Sequence, residues 1–190
     1  MRFSELDRSS YVLYIGILFF AGCWIAGALI DRSWTFGVNT MSELGISDTF
    51  ARYLFLAGCV GAGLCVSLYG YFESSETGSA LKQYSFYALI PAGLFLIGVG
   101  IFTMDYGIVH TIFTGLFFGT LCIVMIIYMI YSRRKRHCQV AIPTFLILVT
   151  GVVLIIMTPL AFVEPIFVIL FMAWMILINV SKNSCKMCIG

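Results

Sequence analysis

Long apolar stretches, separated by short polar connections, are the dominant pattern in this chain. A helix needs about 20 apolar residues to cross the roughly 30 Å hydrocarbon core of a membrane. Six stretches approach or exceed that length, namely residues 11–30, 51–72, 84–104, 107–131, 140–158 and 165–180. We therefore predict an all-α polytopic integral membrane protein, a six-helix bundle formed by residues 1–190 as a single transmembrane domain.

Prolines mark where this helical pattern should bend. Pro143 and Pro165 are expected in the first turns of their spans, where a missing N–H costs nothing. Pro91 lies inside the third span, so it should kink that helix or free a carbonyl near Tyr87. The last span is short, and residues 159–163 are expected to extend it as an interfacial stretch.

Lysine and arginine in the short connections predict the orientation. With six spans, nine of the eleven basic residues share one side of the membrane. They are Arg2, Arg8, Lys82, Arg133, Arg134, Lys135, Arg136, Lys182 and Lys186, whereas Arg32 and Arg52 lie on the other side. We therefore expect both termini to be cytoplasmic and the chain to be a multi-pass protein of the cell membrane.

Composition narrows the possible classes of protein. The chain is 61% hydrophobic and 11% charged, and its mean hydropathy is +1.03. A soluble domain is nearer half apolar and a quarter charged, so lipid must be the main solvent. A net charge of +2 gives no reason to expect nucleic acid as a partner. The segment ending at Cys23 resembles a lipoprotein cleavage site, but the apolar run continues to Ile30 and so predicts a complete span.

The predicted topology gathers polar residues at the outer surface. The ionisable side chains there include Glu43, Asp48, Asp105, His110 and Glu164. The simplest roles are local: Asp105 and Glu164 would cap the helices that follow them. In the long connection, Ser42 and Ser47 would cap turns and Gly45 would supply a positive φ.

A functional alternative is that Glu43 points inward and meets His110 beneath the loop. His110 lies in an otherwise apolar run, one turn into the fourth span, with Thr114 on the same helix face. An ionisable residue at that depth faces the bundle interior or a wet cavity. It either fixes packing through an interhelical hydrogen bond or belongs to a site. We take His110, Glu43, Asp105 and Glu164 as catalytic candidates, and Asn39, Ser42, Glu43, His110 and Thr114 as candidate ligand-binding residues.

One loop element also carries a family resemblance. After the first span the chain has an Asn-x-x-Ser-Glu-Leu-Gly element from Asn39 to Gly45, followed later by His110 early in span four and Glu164 before the last span. On these features the whole chain resembles the archaeal and bacterial membrane family filed as domain of unknown function 998. The resemblance implies a six-span architecture and highlights these residues, but it implies no reaction.

The chain departs from the usual family pattern at two places. Glu43 stands where Asp is usual, and Thr103-Met104 stands where a Phe-Pro pair is frequent. The longer Glu43 side chain would displace a bound group. A fainter likeness to the Frag1/DRAM/Sfk1 group rests on the same Ser-Glu-Leu-Gly loop leading into span two.

Three further motifs have both a structural and a functional interpretation. The basic run Arg133, Arg134, Lys135 and Arg136 is a topology signal that is also suited to anionic lipid head groups. Gly115 and Gly119 form a small-residue pair, which favours packing inside the bundle or contact with a second copy or another membrane protein. Cys185 and Cys188 are half of a zinc or redox motif, and a palmitoylated tail is the simpler interpretation.

Three functions remain open at the level of sequence. The first is binding of a membrane lipid or small ligand in a cavity at the outer face, with a role in envelope maintenance or assembly. The second is a lipid-modifying enzyme with His110 as base or metal ligand. The third is a small transporter, although the predicted middle of the bundle holds no carboxylate or basic residue. The sequence contains no recognisable catalytic motif, so we lean against an enzyme and predict no cofactor and no bound metal.

Overall fold

The computed structural model of the protein describes residues 7–135 and 138–187. Its α-helices are α1 Arg8–Ile30, α2 Ala51–Ser75, α3 Ala80–Tyr87, α4 Leu89–Ile101, α5 Ile108–Arg134, α6 Cys138–Met157 and α7 Leu160–Met187. Short 3-10 helices occupy Met41–Ile46 and Met104–Tyr106. With α3 and α4 counted together, the described residues form six helices long and apolar enough to cross a membrane. The prediction of an all-α, six-helix membrane protein is confirmed.

The third span is divided as Pro91 predicts. The helix is interrupted for one residue at Ala88, between α3 and α4, although its φ of −69° and ψ of −16° remain in the right-handed α region. Pro91 has no N–H to donate to the carbonyl of Tyr87, four residues earlier. Close to this break, the Ser67 hydroxyl of α2 donates a hydrogen bond to the Ile90 carbonyl at 3.0 Å.

The other two prolines do not lie where their sequence positions led us to expect them. Pro143 and Pro165 are both inside their helices, because α6 begins at Cys138 and α7 at Leu160. The residues upstream of each proline, including Gln139 and Glu164, continue the helix, because helical hydrogen bonding satisfies the backbone in a lipid environment, where unsatisfied backbone groups are costly. The stretch 160–163 is therefore part of α7, and only Thr158 and Pro159 separate α6 from α7.

The spans pack in chain order and close into a ring. Each span contacts the next, and α7 returns to contact α1. The contact between α2 and α4 is especially close at Gly63, where an added Cβ would come within 2.5 Å of the Gly93 carbonyl oxygen. Small residues permit such close approach between membrane helices. Between α6 and α7, the Trp174 indole N–H of α7 donates a hydrogen bond to the Thr144 hydroxyl of α6 at 2.8 Å.

The ring encloses an apolar cavity of about 60 Å³ near the middle of the bundle. Side chains of α1, α2, α4, α5 and α7 line it, whereas α6 does not. We call the end of the bundle that carries residues 31–50 the loop face. The opposite end, where Asp7 and Lys182 lie, is the termini face.

Candidate ligand-binding groove at the loop face

The connection between α1 and α2 folds down onto the bundle as a plug. Its 3-10 helix buries Met41 and Leu44. Gly45 does not have the positive φ that its place in the loop predicts. Its role is close packing, since a Cβ there would lie 2.8 Å from the Phe55 ring and 3.0 Å from the Thr103 methyl group. The plug is therefore closely packed and covers this end of the bundle.

Glu164 links the plug to α7 by hydrogen bonds. The expectation that it caps that helix is wrong, because α7 begins four residues earlier. Its carboxylate accepts hydrogen bonds from the Met41 N–H at 3.0 Å and from the Ser42 hydroxyl at 2.8 Å. A carboxylate that receives both an N–H and an O–H makes charge-assisted hydrogen bonds, which are stronger than neutral ones. Glu164 therefore joins α7 to the loop.

His110 is buried at the start of α5, and its two ring nitrogens have different partners. Nδ1 lies 2.7 Å from the carbonyl oxygen of Phe102, at the end of α4. A carbonyl can only accept, so Nδ1 carries the proton and Nε2 of the neutral ring is an acceptor. The Thr114 hydroxyl lies 3.3 Å from Nε2, which places it as the donor. The hydrogen bond to Phe102 fixes both the ring and its tautomer.

Together these residues border a groove of about 390 Å³ between α5, α6, α7 and the plug. The lining residues are Thr40, Ser42, Met104, His110, Thr111, Thr114, Gly115, Phe118, Cys122, Ile155, Leu160, Val163, Glu164 and Phe167. Its polar groups lie towards the plug, and the remaining wall is apolar. Ile155 and Leu160 are among the most exposed side chains of the bundle, so the groove opens sideways towards the lipid.

Glu43 and Asn39 lie outside this groove, contrary to the idea that Glu43 meets His110. Glu43 accepts hydrogen bonds from the Asn39 amide at 2.6 Å and from the Thr40 N–H at 2.8 Å. Burial raises the pKa of Glu43, but these hydrogen bonds outweigh it and leave the pKa below its ordinary value. Asn39 and Glu43 border a separate polar recess of about 290 Å³ on the outside of the loop. Glu43 therefore organises the plug from outside.

Asp105 also lies outside the groove. It belongs to the 3-10 helix before α5 and does not cap α5, since Gly107, with a φ of 54°, holds the N-cap position. The tight reversal here needs the left-handed backbone that glycine adopts readily. The Asp105 carboxylate forms an exposed ion pair with Arg52 at 3.8 Å.

Gly115 and Gly119 do not pack against the rest of the described bundle. A Cβ added at either position meets nothing within 4 Å among the described residues. The interpretation of this pair as internal helix packing is therefore wrong. The two glycines differ in surroundings, because Gly115 borders the groove and Gly119 does not.

The basic run lies at the other end of α5. Arg133 and Arg134 form its last turn and are exposed together with Lys135, while Arg136 lies outside the described residues. The side chains of Cys185 and Cys188 also lie outside the described part of the chain.

A buried ionic cluster at the termini face was not predicted from the sequence. Lys182 of α7 binds the carboxylates of Glu73 on α2 and of Asp7, the latter at 2.7 Å. Glu73 is 1% exposed, and Lys182 is 9% exposed. Burial would raise the pKa of Asp7, but hydrogen bonds from Lys182, Ser10 and Ser9 lower it far below its ordinary value. Three chain segments distant in sequence are thereby joined.

Neutral polar side chains surround these charges. The single hydroxyl proton of Ser9 is shared between Glu73 at 2.5 Å and Asp7 at 2.9 Å, and that of Ser10 between Asp7 at 2.7 Å and Asn179 at 3.1 Å. Asn179 in turn donates to the Tyr14 hydroxyl at 3.2 Å. Asn179 could have been noticed, since it is an amide inside a predicted span. Glu73 and Lys182 were less visible because each falls just past the end of its predicted span.

The same cluster contains carboxylate oxygens close enough to suggest a cation site. Ligand atoms of Asp7, Glu73 and Glu76 lie within 4.8 Å of one another. Lys182 is in ion-pair contact with all three, including Glu76 at 3.7 Å. Its single ammonium group offsets one of their three negative charges and already occupies the space between them, so an internal ion-pair link accounts for this cluster without a metal ion.

The helices and the groove define a multi-pass membrane protein with a lateral, loop-roofed pocket. The chain belongs to the family described as Protein of unknown function (DUF998), whose family model matches residues 14–181. That match extends from α1 through α7 and confirms the resemblance seen in the sequence. No curated protein and no solved structure matches the chain.

Proposed function

We propose that this protein binds a membrane lipid in the groove at the loop face. The observation that carries the proposal is the groove itself, which combines a volume of about 390 Å³ with apolar walls, a lateral opening and polar groups at one end. Ligand pockets are commonly apolar with a few converging polar groups. An amphipathic molecule within the bilayer matches that distribution without leaving the membrane.

The polar end of the groove favours a particular head group. Glu164 and Nε2 of His110 are acceptors, and the described residues that line the groove include no lysine or arginine. A head group that offers O–H or N–H donors therefore fits better than a bare phosphate, which would bring negative charge next to Glu164. We infer a lipid with a hydroxyl or amino head group.

The proposed orientation places the groove in the outer leaflet. It follows from the basic residues, including exposed Arg133 and Arg134, at the termini face. Binding in that leaflet would support a role in maintenance or assembly of the cell envelope. Labelling of cysteines introduced at Thr35 and Lys135, which are both exposed, tests the orientation, and labelling of the Lys135 position from outside would contradict it.

The glycines of α5 provide a direct test of lipid binding. Gly115→Leu places a side chain in the groove, whereas Gly119→Leu adds the same side chain about one turn further along the helix, at a position that does not line the groove. We expect the purified wild type and Gly119→Leu to retain added monopalmitoylglycerol in native mass spectrometry. Gly115→Leu should lose at least ten-fold in retention.

A lysophosphatidic acid with the same chain controls for head-group chemistry. Its retention should be lower than that of monopalmitoylglycerol, because its phosphate offers the groove acceptors little to bind. Equal retention of monopalmitoylglycerol by Gly115→Leu and Gly119→Leu would contradict lipid binding in this groove. Preferential retention of the phosphate lipid would contradict the proposed head group.

A second candidate function is modification of the lipid bound in the groove. The hydrogen bond from Nδ1 of His110 to the Phe102 carbonyl favours it, since it directs Nε2, the nitrogen that would act as a general base, towards Thr114 and the groove. Lipid extracts from cells carrying wild type, His110→Ala or a deletion distinguish the two functions. A lipid class that changes equally in His110→Ala and the deletion would favour catalysis, and unchanged lipid classes would count against it.

Other surfaces keep their sequence-based proposals. Exposed Arg133, Arg134 and Lys135 suit anionic head groups of the cytoplasmic leaflet. The open face of Gly115 and Gly119 leaves room for a second copy or another membrane protein. Transport receives no support from the central cavity, whose lining is apolar throughout.

A further inference from the structure

The groove is the first of three voids that share walls. A neck of about 20 Å³ borders Thr114, Phe118 and Glu164, which also line the groove. The same neck borders Phe117 and Val168, which also line the central cavity of about 60 Å³. The three voids therefore form a series from the loop face to the middle of the bundle.

The length of this series matches one leaflet of a membrane. Along α7 it runs from Glu164 through Val168 to Met175. Eleven residues of helix rise about 16 Å, and half of the hydrocarbon core is about 15 Å. A lipid whose head group binds at Glu164 thus has a chain of the right length to reach Met175.

The character of the inner walls also suits a hydrocarbon chain. The central cavity is lined only by apolar side chains, and cavities of that kind stay dry and accept apolar groups. Met172 and Met175 form part of its wall, and methionine side chains adapt readily to an inserted group. At the neck, Phe117 and Phe118 would have to rotate to admit a chain.

We propose that the tail of the bound lipid passes through this neck and ends in the central cavity, inside the ring of helices. This inference rests on the proposed lipid binding and deepens it. The ligand class is then a lipid with one slender, flexible hydrocarbon chain, since the neck at Phe117, Phe118 and Val168 is too narrow for two.

Packing is the physical reason for an internal position. A tail in the bilayer is already out of water, so transfer into an apolar cavity gains little from the hydrophobic effect. The side chains around a void, in contrast, lack contact partners on one side. A tail that fills the void supplies those contacts, whereas a tail on the outer surface of α5 only replaces another lipid.

Photoreactive monopalmitoylglycerol locates the two ends of the ligand separately. One probe has a diazirine next to the head group, and the other has it at the end of the chain. With the wild type in bilayers, the first probe should label the groove near Glu164. The second should label Leu13, Leu121 and Met175, which are at most 3% exposed and therefore out of reach of bulk lipid.

Two variants that obstruct the route provide controls. Ala62→Leu fills the central cavity, and Val168→Phe narrows the neck. Each should reduce labelling of Met175 by the chain-end probe at least five-fold and leave head-group labelling unchanged. Thermal unfolding of each variant verifies that the fold is retained, and either one suffices if the other does not fold.

The outcomes separate this inference from the proposed function. Head-group labelling in the groove together with chain-end labelling only on lipid-facing residues, such as Ile123 and Val152, would overturn the internal route and leave lipid binding intact. The absence of head-group labelling in the groove would overturn lipid binding itself. Undiminished labelling of Met175 in a folded Val168→Phe variant would also overturn the route.

Discussion

The two ends of this bundle bury polar side chains in opposite ways. At the termini face, Lys182 binds the carboxylates of Glu73 and Asp7 directly. At the loop face, Glu164 and His110 bind donors or acceptors of the backbone and lie beside a groove of about 390 Å³. The first arrangement is closed by the chain's own side chains, whereas the second has room for another molecule.

This difference distinguishes a structural role, in which polar side chains link helices, from a ligand-binding role. Buried charges that pair internally connect distant segments, and removal of one partner leaves the others without compensation. Polar groups beside an apolar groove instead cost little when the groove is empty and gain partners when it is filled. We therefore propose that the termini face serves stability and the loop face serves ligand binding, and substitutions at each face can test this proposal.

The largest expected effect is on stability at the termini face. Lys182→Met removes the ammonium group that binds the buried carboxylate of Glu73 and the partly buried carboxylate of Asp7. Breaking a buried pair in this way costs about 3–5 kcal/mol. Unfolding by SDS in mixed micelles should show that loss, and the double variant Lys182→Met/Glu73→Gln should recover part of it.

Arg52→Met is the matched control for that experiment. It removes the exposed ion pair with Asp105 at the loop face, which is worth about 0–1 kcal/mol. If Lys182→Met were no more destabilising than Arg52→Met, the buried ionic cluster would not stabilise the fold in the way we propose. Lipid retention by a folded Lys182→Met variant should equal that of the wild type.

A smaller loss of stability is expected at Glu164, which links the plug to α7. In Glu164→Gln an amide NH2 replaces one oxygen, so either the Met41 N–H or the Ser42 hydroxyl loses its acceptor. An unsatisfied buried group costs about 1–3 kcal/mol. The plug should loosen, and trypsin should cleave faster at Arg32, which is exposed in the same loop.

Asp105→Asn is the control for Glu164→Gln, since Asp105 is an exposed carboxylate at the same face whose ion pair is with Arg52 of α2. Its cleavage rate at Arg32 should match that of the wild type. Equal acceleration in both variants would mean that general loss of negative charge, and not the Glu164 hydrogen bonds, determines how the loop is held.

The sequence predicted the architecture well because hydropathy and helix length are local properties. The six spans and the break near Pro91 follow from apolar runs and from proline chemistry. The helix ends were less predictable: α7 begins before Pro165 because residues 160–163 are as apolar as those after the proline, and Glu164 between them does not end the helix. A hydropathy count gives no boundary there.

The candidate site was predictable only in part, since it depends on which spans face one another. His110, Thr114, Ser42 and Glu164 do meet in one groove. Glu43 and Asp105 were grouped with them because they share a membrane face, yet hydrogen bonds with near neighbours and a surface ion pair hold them outside. Membrane depth alone cannot distinguish the inside of a loop from its outside.

The smallest expected effect tests whether Glu43 organises the plug from outside the groove. Its pKa in the folded protein lies below the ordinary value of 4.5, so its contribution to stability is present above pH 4.5. That contribution is lost as the pH falls through the lowered pKa. Glu43→Gln should therefore be less stable than the wild type by about 1 kcal/mol at neutral pH.

The difference between the two proteins should shrink towards zero in acid, because protonated Glu43 loses the same charge-assisted hydrogen bonds as Gln. The measurement is the free energy of unfolding of both proteins from neutral pH down to about pH 3. Other carboxylates with lowered pKa values, such as Asp7, are present in both proteins and cancel. A difference that grows in acid would contradict this role. Loss of lipid retention in Glu43→Gln at neutral pH would instead bring Glu43 into the groove.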